Sequence, residues 1–347
     1  MPVFTNSVFT RPIPPNAKAD PNSAAELAEY GGNPTLGTVG IDRQPVYYAS
    51  DNAVVWGTPS DPVYTITCNA WGAGSCPGLD GATINIPANM EYGQWGCGPS
   101  TWACGDAHTA ILEPNGLEYD LFYSNTFVPS NSSYVVGSGG IVNPSGEDST
   151  GYLAADPALS WRGCANEGCS ALLAAVAMPS DWMAGVLPTA FQVAVPCMSN
   201  NVVYPSIIGH VDATSLCTDG GGVPMGARLS VRVTAEQIAG SGLTAYQKMI
   251  ATEIMTYGWY VNDTTGTTTN SVPNTGLFYV GFGTLAPQTW TQRGLPDPWP
   301  AVAAKYGLTL DGGSPWQQYD ADLSPLWAFL KGKWYVVAPA CSMPSGC

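Results

Sequence analysis

The sequence has few charged side chains, and very few of them are basic. Only 11 residues are Lys or Arg, against 26 acidic ones, and the formal net charge is −15. Because such a charge repels phosphate backbones, we expect no nucleic acid among the partners of this protein. The sequence also lacks an apolar run of about 18 residues, so we expect no membrane-spanning segment.

Turn-forming and apolar residues are plentiful. The 347 residues include 40 glycines, 30 prolines and 11% aromatic residues, a content that excludes a disordered chain. Short strand-like runs separated by turn residues are typical of a β-sandwich or jelly roll. We therefore predict a mainly β fold of this kind, with residues 1–40 as an extended arm and residues 41–347 as a single domain.

Two apolar segments and one glycine-rich segment stand apart from the strand pattern. Cys169–Met178 and Thr244–Tyr257 are predicted to be helices packed on the sheets, the second with Thr244 as its N-cap. The stretch Gly137–Ser149 is predicted to be a mobile loop.

The 10 cysteines lack the CxxC-like spacing of zinc sites. They occur as neighbours along the chain, which indicates five short-range disulfides and an oxidising, extracellular location. We expect a mature secreted protein. The predicted pairs are Cys68–Cys76, Cys97–Cys104, Cys164–Cys169, Cys197–Cys217 and Cys341–Cys347.

The segment Gly105–Ser124 predicts a β-hairpin with a polar face. Its turn, Glu113-Pro114-Asn115-Gly116, suits a type I turn followed by a left-handed glycine and sets the register of the strands. Since side chains alternate along strands, four polar residues are expected on one side, either solvated or forming the floor of a cleft. These residues are Asp106, His108, Glu118 and Asp120.

The carboxylates Glu118 and Asp120 are spaced for acid–base chemistry. Like charges two apart on a strand raise the pKa of one group, and their separation suits either class of glycosidase. Glu118 is the candidate nucleophile or base and Asp120 its partner, with His108 or Asp106 as proton carrier. Solvated carboxylates without catalytic function are the alternative.

Other candidate residues lie elsewhere in the chain. Trp95 and Trp102, within or beside the Cys97–Cys104 loop, are candidate sugar-stacking residues. His210 and Asp212 form a second His/Asp pair and are candidate substrate-binding residues. Arg228 would clamp a carboxylate of the substrate or hold its strand to a neighbour. We expect no required cofactor and leave the metal undefined, with a structural calcium as an alternative.

Two resemblances accompany these motifs. Four segments are similar to a group of secreted bacterial proteins with no assigned activity. They are the arm segment Ala17–Ala24, the hairpin segment Gly105–Tyr123, the PMGARLSV segment Pro224–Val231 and Tyr257–Gly266. The strand Glu118–Tyr123 resembles the Glu-x-Asp-x-x-Glu strand of concanavalin-like β-sandwich glycosidases. This second resemblance implies a nucleophilic Glu118 and an assisting Asp120, while Tyr123 stands where that family has its acid.

Three functions follow from these observations. The first is a secreted glycoside hydrolase that cleaves a polysaccharide or oligosaccharide with the hairpin carboxylates. The second is a polysaccharide lyase that uses His108 or a tyrosine, with Arg228 neutralising a uronate. The third is a non-catalytic extracellular protein that binds carbohydrate or has a structural role. The oligomeric state is not predicted.

Overall fold

The structure is a computed structural model. It describes residues 4, 7–30, 35–36, 41–42, 53–68, 76, 78–88, 108–122, 126–128, 132–144, 164–207, 211, 215–217, 220–264, 277–281, 288–291, 293–311 and 318–342. None of the helices formed by these residues has the length and apolar composition of a membrane-spanning segment.

Short strands dominate the described residues. They are β1 (Thr35–Leu36), β2 (Ile41–Asp42), β3 (Ala53–Trp56), β4 (Val63–Cys68), β5 (Thr83–Asn85), β6 (His108–Leu112), β7 (Glu118–Phe122), β8 (Thr126–Val128), β9 (Ser133–Val136), β10 (Ser138–Val142), β11 (Phe191–Val195), β12 (Arg228–Val231), β13 (Trp259–Thr264), β14 (Leu277–Gly281), β15 (Thr309–Asp311), β16 (Gln318–Asp320) and β17 (Trp334–Val336).

The helices are also short. They are α1 (Ser23–Ala28), α2 (Pro179–Ala184), α3 (Ala235–Ala239), α4 (Ala245–Thr256), α5 (Gln288–Thr291), α6 (Trp299–Tyr306), α7 (Ser324–Leu330) and α8 (Pro339–Ser342), with 3-10 turns at Val8–Thr10 and Leu172–Ala175. The predicted helix Thr244–Tyr257 is confirmed as α4. Its capping box pairs the Thr244 hydroxyl with the Gln247 amide at 3.3 Å and the Gln247 side chain with the Thr244 amide at 2.9 Å.

The strands form four sheets. The large sheet has the order β1-β14-β11-β13-β12-β17, the hairpin sheet β10-β7-β6-β3, the facing sheet β5-β4-β9-β8, and a small sheet β15-β16-β2. The predicted mainly β fold is confirmed at this level. Three of the sheets contain parallel pairs, namely β1 with β14, β11 with β13, β3 with β6, and β4 with β9.

The hairpin sheet lies between two hydrophobic clusters. One side contributes Ile111 and Leu121 to a small cluster shared with the facing sheet. The other side contributes Ala110 and Val142 to the main core, which the large sheet and its helices fill. The alternation of side chains across the strands therefore places both faces of this sheet in apolar surroundings.

Three expectations about local structure are wrong. Only Leu172–Ala175 of the predicted helix Cys169–Met178 is helical, and it is a 3-10 turn. The N-terminal arm, predicted to be extended, contains α1 and buries Phe9 completely in the main core. Residues 138–142 of the predicted mobile loop form β10, which pairs with β7.

Three predicted disulfides are confirmed: Cys68–Cys76, Cys164–Cys169 and Cys197–Cys217. Cys341 is also disulfide-bonded. The other members of the two remaining predicted pairs, Cys97, Cys104 and Cys347, lie outside the described residues.

Candidate functional site

The turn between β6 and β7 has the predicted form. The Gly116 amide donates to the Glu113 carbonyl at 2.9 Å, and the Leu117 amide donates to the Asn115 side chain at 2.8 Å. Gly116 has a φ of 82°, a left-handed conformation that glycine adopts without steric cost. The turn chemistry therefore fixes the hairpin register.

The register itself is confirmed, and with it the shared polar face. Leu112 lies opposite Glu118, Ala110 opposite Asp120, and His108 opposite Phe122. The other face buries Ile111, Tyr119 and Leu121 in the small cluster. Glu118 and Asp120 thus point away from the small cluster, towards the main core.

This polar face is neither solvated nor an open cleft. Glu118 and Asp120 are both 0% exposed, and His108 is 4% exposed. The His108 ring stacks on Phe122 with 4.7 Å between the ring centroids. All three polar groups predicted for this face and described by the structure are interior groups.

The turn Leu172–Ala175 covers the two carboxyl groups. The Leu172 amide donates to Oδ2 of Asp120 at 2.9 Å, and the Leu173 amide donates to Oε1 of Glu118 at 2.9 Å. These bonds satisfy two of the amide groups that begin the 3-10 turn. The carboxyl pair therefore joins the hairpin sheet to a segment of the main core.

The segment that carries this turn is fixed by further bonds. Its Cys164–Cys169 disulfide closes a five-residue separation. Asn166 bonds both the carbonyl of Ser170, at 2.6 Å, and its amide, at 3.0 Å. The Gln192 side chain of β11 donates to the Ala171 carbonyl at 3.0 Å.

The two carboxyl groups interact with each other. Burial raises the pKa of Glu118 well above its usual range, and the charge of Asp120 raises it further. Glu118 therefore holds a proton more tightly than an exposed carboxyl does.

Arg228 is an interior structural residue. It is 2% exposed, and its Nε donates to the Tyr257 carbonyl at 2.6 Å while its Nη2 donates to the Arg11 carbonyl at 2.5 Å. Its guanidinium lies 5.1 Å from the centre of the Tyr260 ring. The structure thus places Arg228 between the N-terminal segment and the end of α4.

Sequence reasoning did not single out Glu253, another buried acid, whose pKa is affected by the charge of Arg228. Glu253 is 2% exposed and accepts a 2.8 Å bond from the Trp259 indole nitrogen. Burial raises the pKa of Glu253 well above its usual range, although the Trp259 bond and the charge of Arg228 oppose the shift. Glu253 and Trp259 lie six positions apart in the chain, and this spacing matches no motif that the sequence analysis recognised.

The structure also forms a mixed aromatic and polar surface, which we call the Trp56 patch. It consists of Trp56, Trp290, Asp61, Arg293 and Asn85. Trp56 and Trp290 are half-buried and meet edge to face, with 6.3 Å between their centroids. Arg293 forms a bidentate ion pair with Asp61, in which Nη1 donates to Oδ1 at 2.9 Å and Nη2 donates to Oδ2 at 2.7 Å. The Asn85 side chain donates to the Asp61 carbonyl at 3.1 Å.

The pKa values of two acids at this patch, Asp61 and Glu113, are shifted in opposite directions. Burial acts to raise the pKa of Asp61, but hydrogen bonds from Arg293 and Thr58 outweigh it and lower the pKa. Burial raises the pKa of Glu113, whose Oε1 accepts the Asn85 amide at 2.6 Å. Asp61 is therefore the ionised member and Glu113 the more readily protonated one.

Several predicted site residues lie outside the described residues, and the structure does not bear on them. They are Asp106, Trp95, Trp102, His210 and Asp212.

Among the residues that the structure describes, one group has the spacing of a metal site: Glu29, Cys197 and Cys217. Its two sulfur atoms are joined in a disulfide. Since metals bind cysteine as thiolate, this group does not fit a metal.

The chain was also compared with known proteins. No protein-family model, no curated protein and no solved structure matched it.

Proposed function

We propose that this protein is a secreted, non-catalytic protein that binds carbohydrate through the Trp56 patch. The observation that carries the proposal is the half-buried Trp56–Trp290 pair, which is linked to the Asp61–Arg293 ion pair because the Arg293 amide donates to the Trp290 carbonyl at 2.9 Å. Sugar rings are bound by aromatic faces, which contact their apolar faces, and by polar groups that hydrogen-bond their hydroxyls. The patch combines both, because the Asp61 and Arg293 side chains remain 11% and 20% exposed.

The burial of the hairpin residues favours binding over cleavage. A polysaccharide chain must reach the groups that cleave it, whereas Glu118 and Asp120 are 0% exposed. Each carboxyl group also already accepts a hydrogen bond from a main-chain amide of the covering turn.

Glycoside hydrolysis by Glu118 and Asp120 is the second candidate function. The raised pKa of Glu118 and the nearby charge of Asp120 favour it, since enzymes of this class keep one carboxyl protonated beside another. It requires the turn at Leu172–Ala175 to move. A lyase would need another cation, because the Nε and Nη2 atoms of Arg228 donate hydrogen bonds to main-chain carbonyls.

Two further expectations belong to the same proposal. The hairpin sheet and the facing sheet would form the predicted sandwich, although a concanavalin-like jelly roll of antiparallel strands does not account for their parallel pairs. Support comes from the small cluster between them. Binding needs no cofactor, and a structural calcium ion remains an expectation from the sequence.

A panel of neutral and uronic-acid polysaccharides tests the proposal. Retention on insoluble polysaccharide or retardation in affinity gels measures binding, while reducing ends and absorbance of unsaturated products measure cleavage. We expect retention without cleavage, and its loss in Trp290→Ala with an unchanged circular dichroism spectrum. Trp327→Ala, at a half-buried tryptophan outside the patch, is the control and should keep retention.

The other outcomes separate the alternatives. Reducing ends that vanish in Glu118→Gln indicate the hydrolase, and unsaturated products indicate a lyase. Full retention in Trp290→Ala, or retention by no polysaccharide of the panel, contradicts the proposed binding patch.

A further inference from the structure

The cation of the Trp56 patch, Arg293, is already held by an acid of the same patch. Its Nη1 donates to Oδ1 and its Nη2 to Oδ2 of Asp61, so the carboxylate lies along one edge of the guanidinium. Arginine binds the carboxylate of an acidic ligand with the same bidentate geometry. A uronate that approached Arg293 would therefore have to displace Asp61 or bind beside it.

Asp61 is fixed in this position by its own loop. Its Oδ2 accepts the Thr58 amide at 2.7 Å and the Thr58 hydroxyl at 2.9 Å. The Asn85 side chain also donates to the Asp61 carbonyl at 3.1 Å. Displacement of the Asp61 carboxylate would break the two Thr58 bonds as well as the ion pair. A uronate would therefore have to bind beside a carboxylate that stays in place.

A second acid, Glu113, lies next to the ion pair and responds to its charge. Oε1 of Glu113 accepts the Asn85 amide at 2.6 Å. Burial raises the pKa of Glu113, the Asn85 bond lowers it, and the charge of Asp61 raises it again. The charge of Asp61 thus already disfavours another carboxylate in its surroundings, and a uronate would meet the same repulsion.

Two exposed apolar side chains adjoin the patch. Val63 is 54% exposed and lies opposite Asn85 in the pairing of β4 with β5, which places both side chains on one face. Leu295 is 51% exposed, and its amide donates to the Trp290 carbonyl at 3.0 Å. Apolar neighbours suit the C–H faces of uncharged sugar rings, whereas a carboxylate placed beside them would lose hydration.

We propose that the Trp56 patch takes uncharged polysaccharides, and that Asp61 determines this specificity by occupying Arg293 and so excluding uronate-containing polymers. This inference rests on the proposed function, because it names the class of ligand for the same patch. The net charge of −15 acts in the same direction, since it repels polyanions of any kind. Removal of the Asp61 charge would make Arg293 available to acidic ligands.

Matched polymers test this assignment with the full chain. Each neutral polysaccharide that retards the protein in affinity gels at low ionic strength is compared with the same polymer after oxidation of its primary hydroxyls to carboxylates. We expect the oxidised polymer to bind at least about fivefold more weakly, the effect of one like charge about 4 Å away in water. Equal or tighter binding of the oxidised polymer by the wild type would overturn the proposal.

Asp61→Asn tests the role of the carboxylate itself. The variant keeps an acceptor oxygen for Thr58 but releases Arg293, so binding of the oxidised polymer should rise about tenfold, the effect of a hydrogen bond between charged groups. Added salt should reverse this gain. The control Asp80→Asn removes the same charge at the end of β4 far from the patch, where Asp80 accepts the Cys68 amide at 2.9 Å. It should leave binding of the oxidised polymer unchanged.

Failure of this specificity is distinguishable from failure of binding. If Asp61→Asn does not fold, the comparison of matched polymers with the wild type still decides. An equal gain in Asp61→Asn and Asp80→Asn would show that net charge sets the preference, and it would overturn the role of Asp61. Equal binding of both polymers that is lost in Trp290→Ala contradicts the specificity alone. Binding of no polysaccharide contradicts the patch itself and the specificity with it.

Discussion

The Leu173 amide lies 2.9 Å from Oε1 of Glu118, although 55 positions separate the two residues in the chain. Together with the hydrogen bond from the Leu172 amide to Asp120, this contact covers a hairpin face whose residues are of the kind found in catalytic sites. That face therefore lies in the interior, where the hairpin sheet meets the main core. It explains why the same two carboxylates support two different functional hypotheses. Their chemistry suits acid–base catalysis, and their burial suits a structural role.

The buried carboxyls predict a protein that is most stable in acid. Burial, with a smaller effect of Asp20, raises the pKa of Glu26 from 4.5 to about 7, and burial raises the pKa of Glu253 as well. The native state then binds protons more tightly than the unfolded state. The resulting stability is complete below pH 4.5 and is lost as the pH rises through the folded pKa.

We therefore expect the melting temperature to fall between pH 4.5 and pH 7.5, as measured by calorimetry. Glu253→Gln should reduce this slope, whereas Glu236→Gln, at a fully exposed side chain, should not. The lowered pKa of Asp61 acts in the opposite sense, and its contribution is lost only as the pH falls through about 3.8 and below. A melting temperature that rises from pH 4.5 to 7.5 would contradict this prediction.

Arg228→Met should destabilise the protein strongly. The substitution removes the donors to the Arg11 and Tyr257 carbonyls and leaves Glu253 without its neighbouring positive charge. Breaking a buried charge arrangement costs about 3–5 kcal/mol, measured here by denaturant unfolding. Arg232→Met, at an exposed arginine over the Tyr335 ring, is the control and should change stability by less than about 0.5 kcal/mol. Equal effects of the two variants would show that the buried contacts of Arg228 contribute little.

Gly139→Ala should disrupt the contact between the hairpin sheet and the facing layer. A Cβ at this position would lie 2.3 Å from the Asp120 carbonyl oxygen and 2.7 Å from Cδ2 of Leu79. Such overpacking costs about 1–3 kcal/mol. Gly242→Ala, where a Cβ meets no atom within 4 Å, is the control, and equal unfolding midpoints for the two variants would contradict the packing of β10.

The disulfides should contribute according to the lengths of the loops that they close. Cys197–Cys217 spans 20 positions and Cys164–Cys169 spans 5. Replacing both cysteines of a pair with alanine should cost about 3 kcal/mol for the longer loop and about 2 kcal/mol for the shorter one. Peptide mapping without reduction checks the pairing, and a bond between members of different predicted pairs would contradict it.

Local chemistry made much of this structure predictable. The Pro-Asn-Gly turn determined the register of β6 and β7, and the capping residues Thr244 and Gln247 determined where α4 begins. Sequence neighbours likewise indicated the three described disulfides. In each case the interacting residues lie close together in the chain.

Features that depend on distant contacts were not predictable in this way. The glycines of β10 suggested a loop. In the structure, however, the Asp120 carbonyl and the Leu79 side chain lie so close to Gly139 that they leave no room for a Cβ atom. The apolar run Cys169–Met178 suggested a helix, yet its amides bond to carboxylates of the hairpin. Nothing in the local pattern around Glu118 and Asp120 indicated which segment would cover them.

Glu118 and Asp120 form a buried pair in which burial and the charge of Asp120 raise the pKa of Glu118 well above the usual carboxyl range. The most direct measurement is a carbon-13 NMR titration of their side-chain carboxyl resonances in the full chain between pH 3 and 9. We expect the pair to lose its last proton far above the usual carboxyl range, and Glu118→Gln to abolish this late step. Titration of both carboxyls near pH 4 would show that burial does not raise the pKa of Glu118.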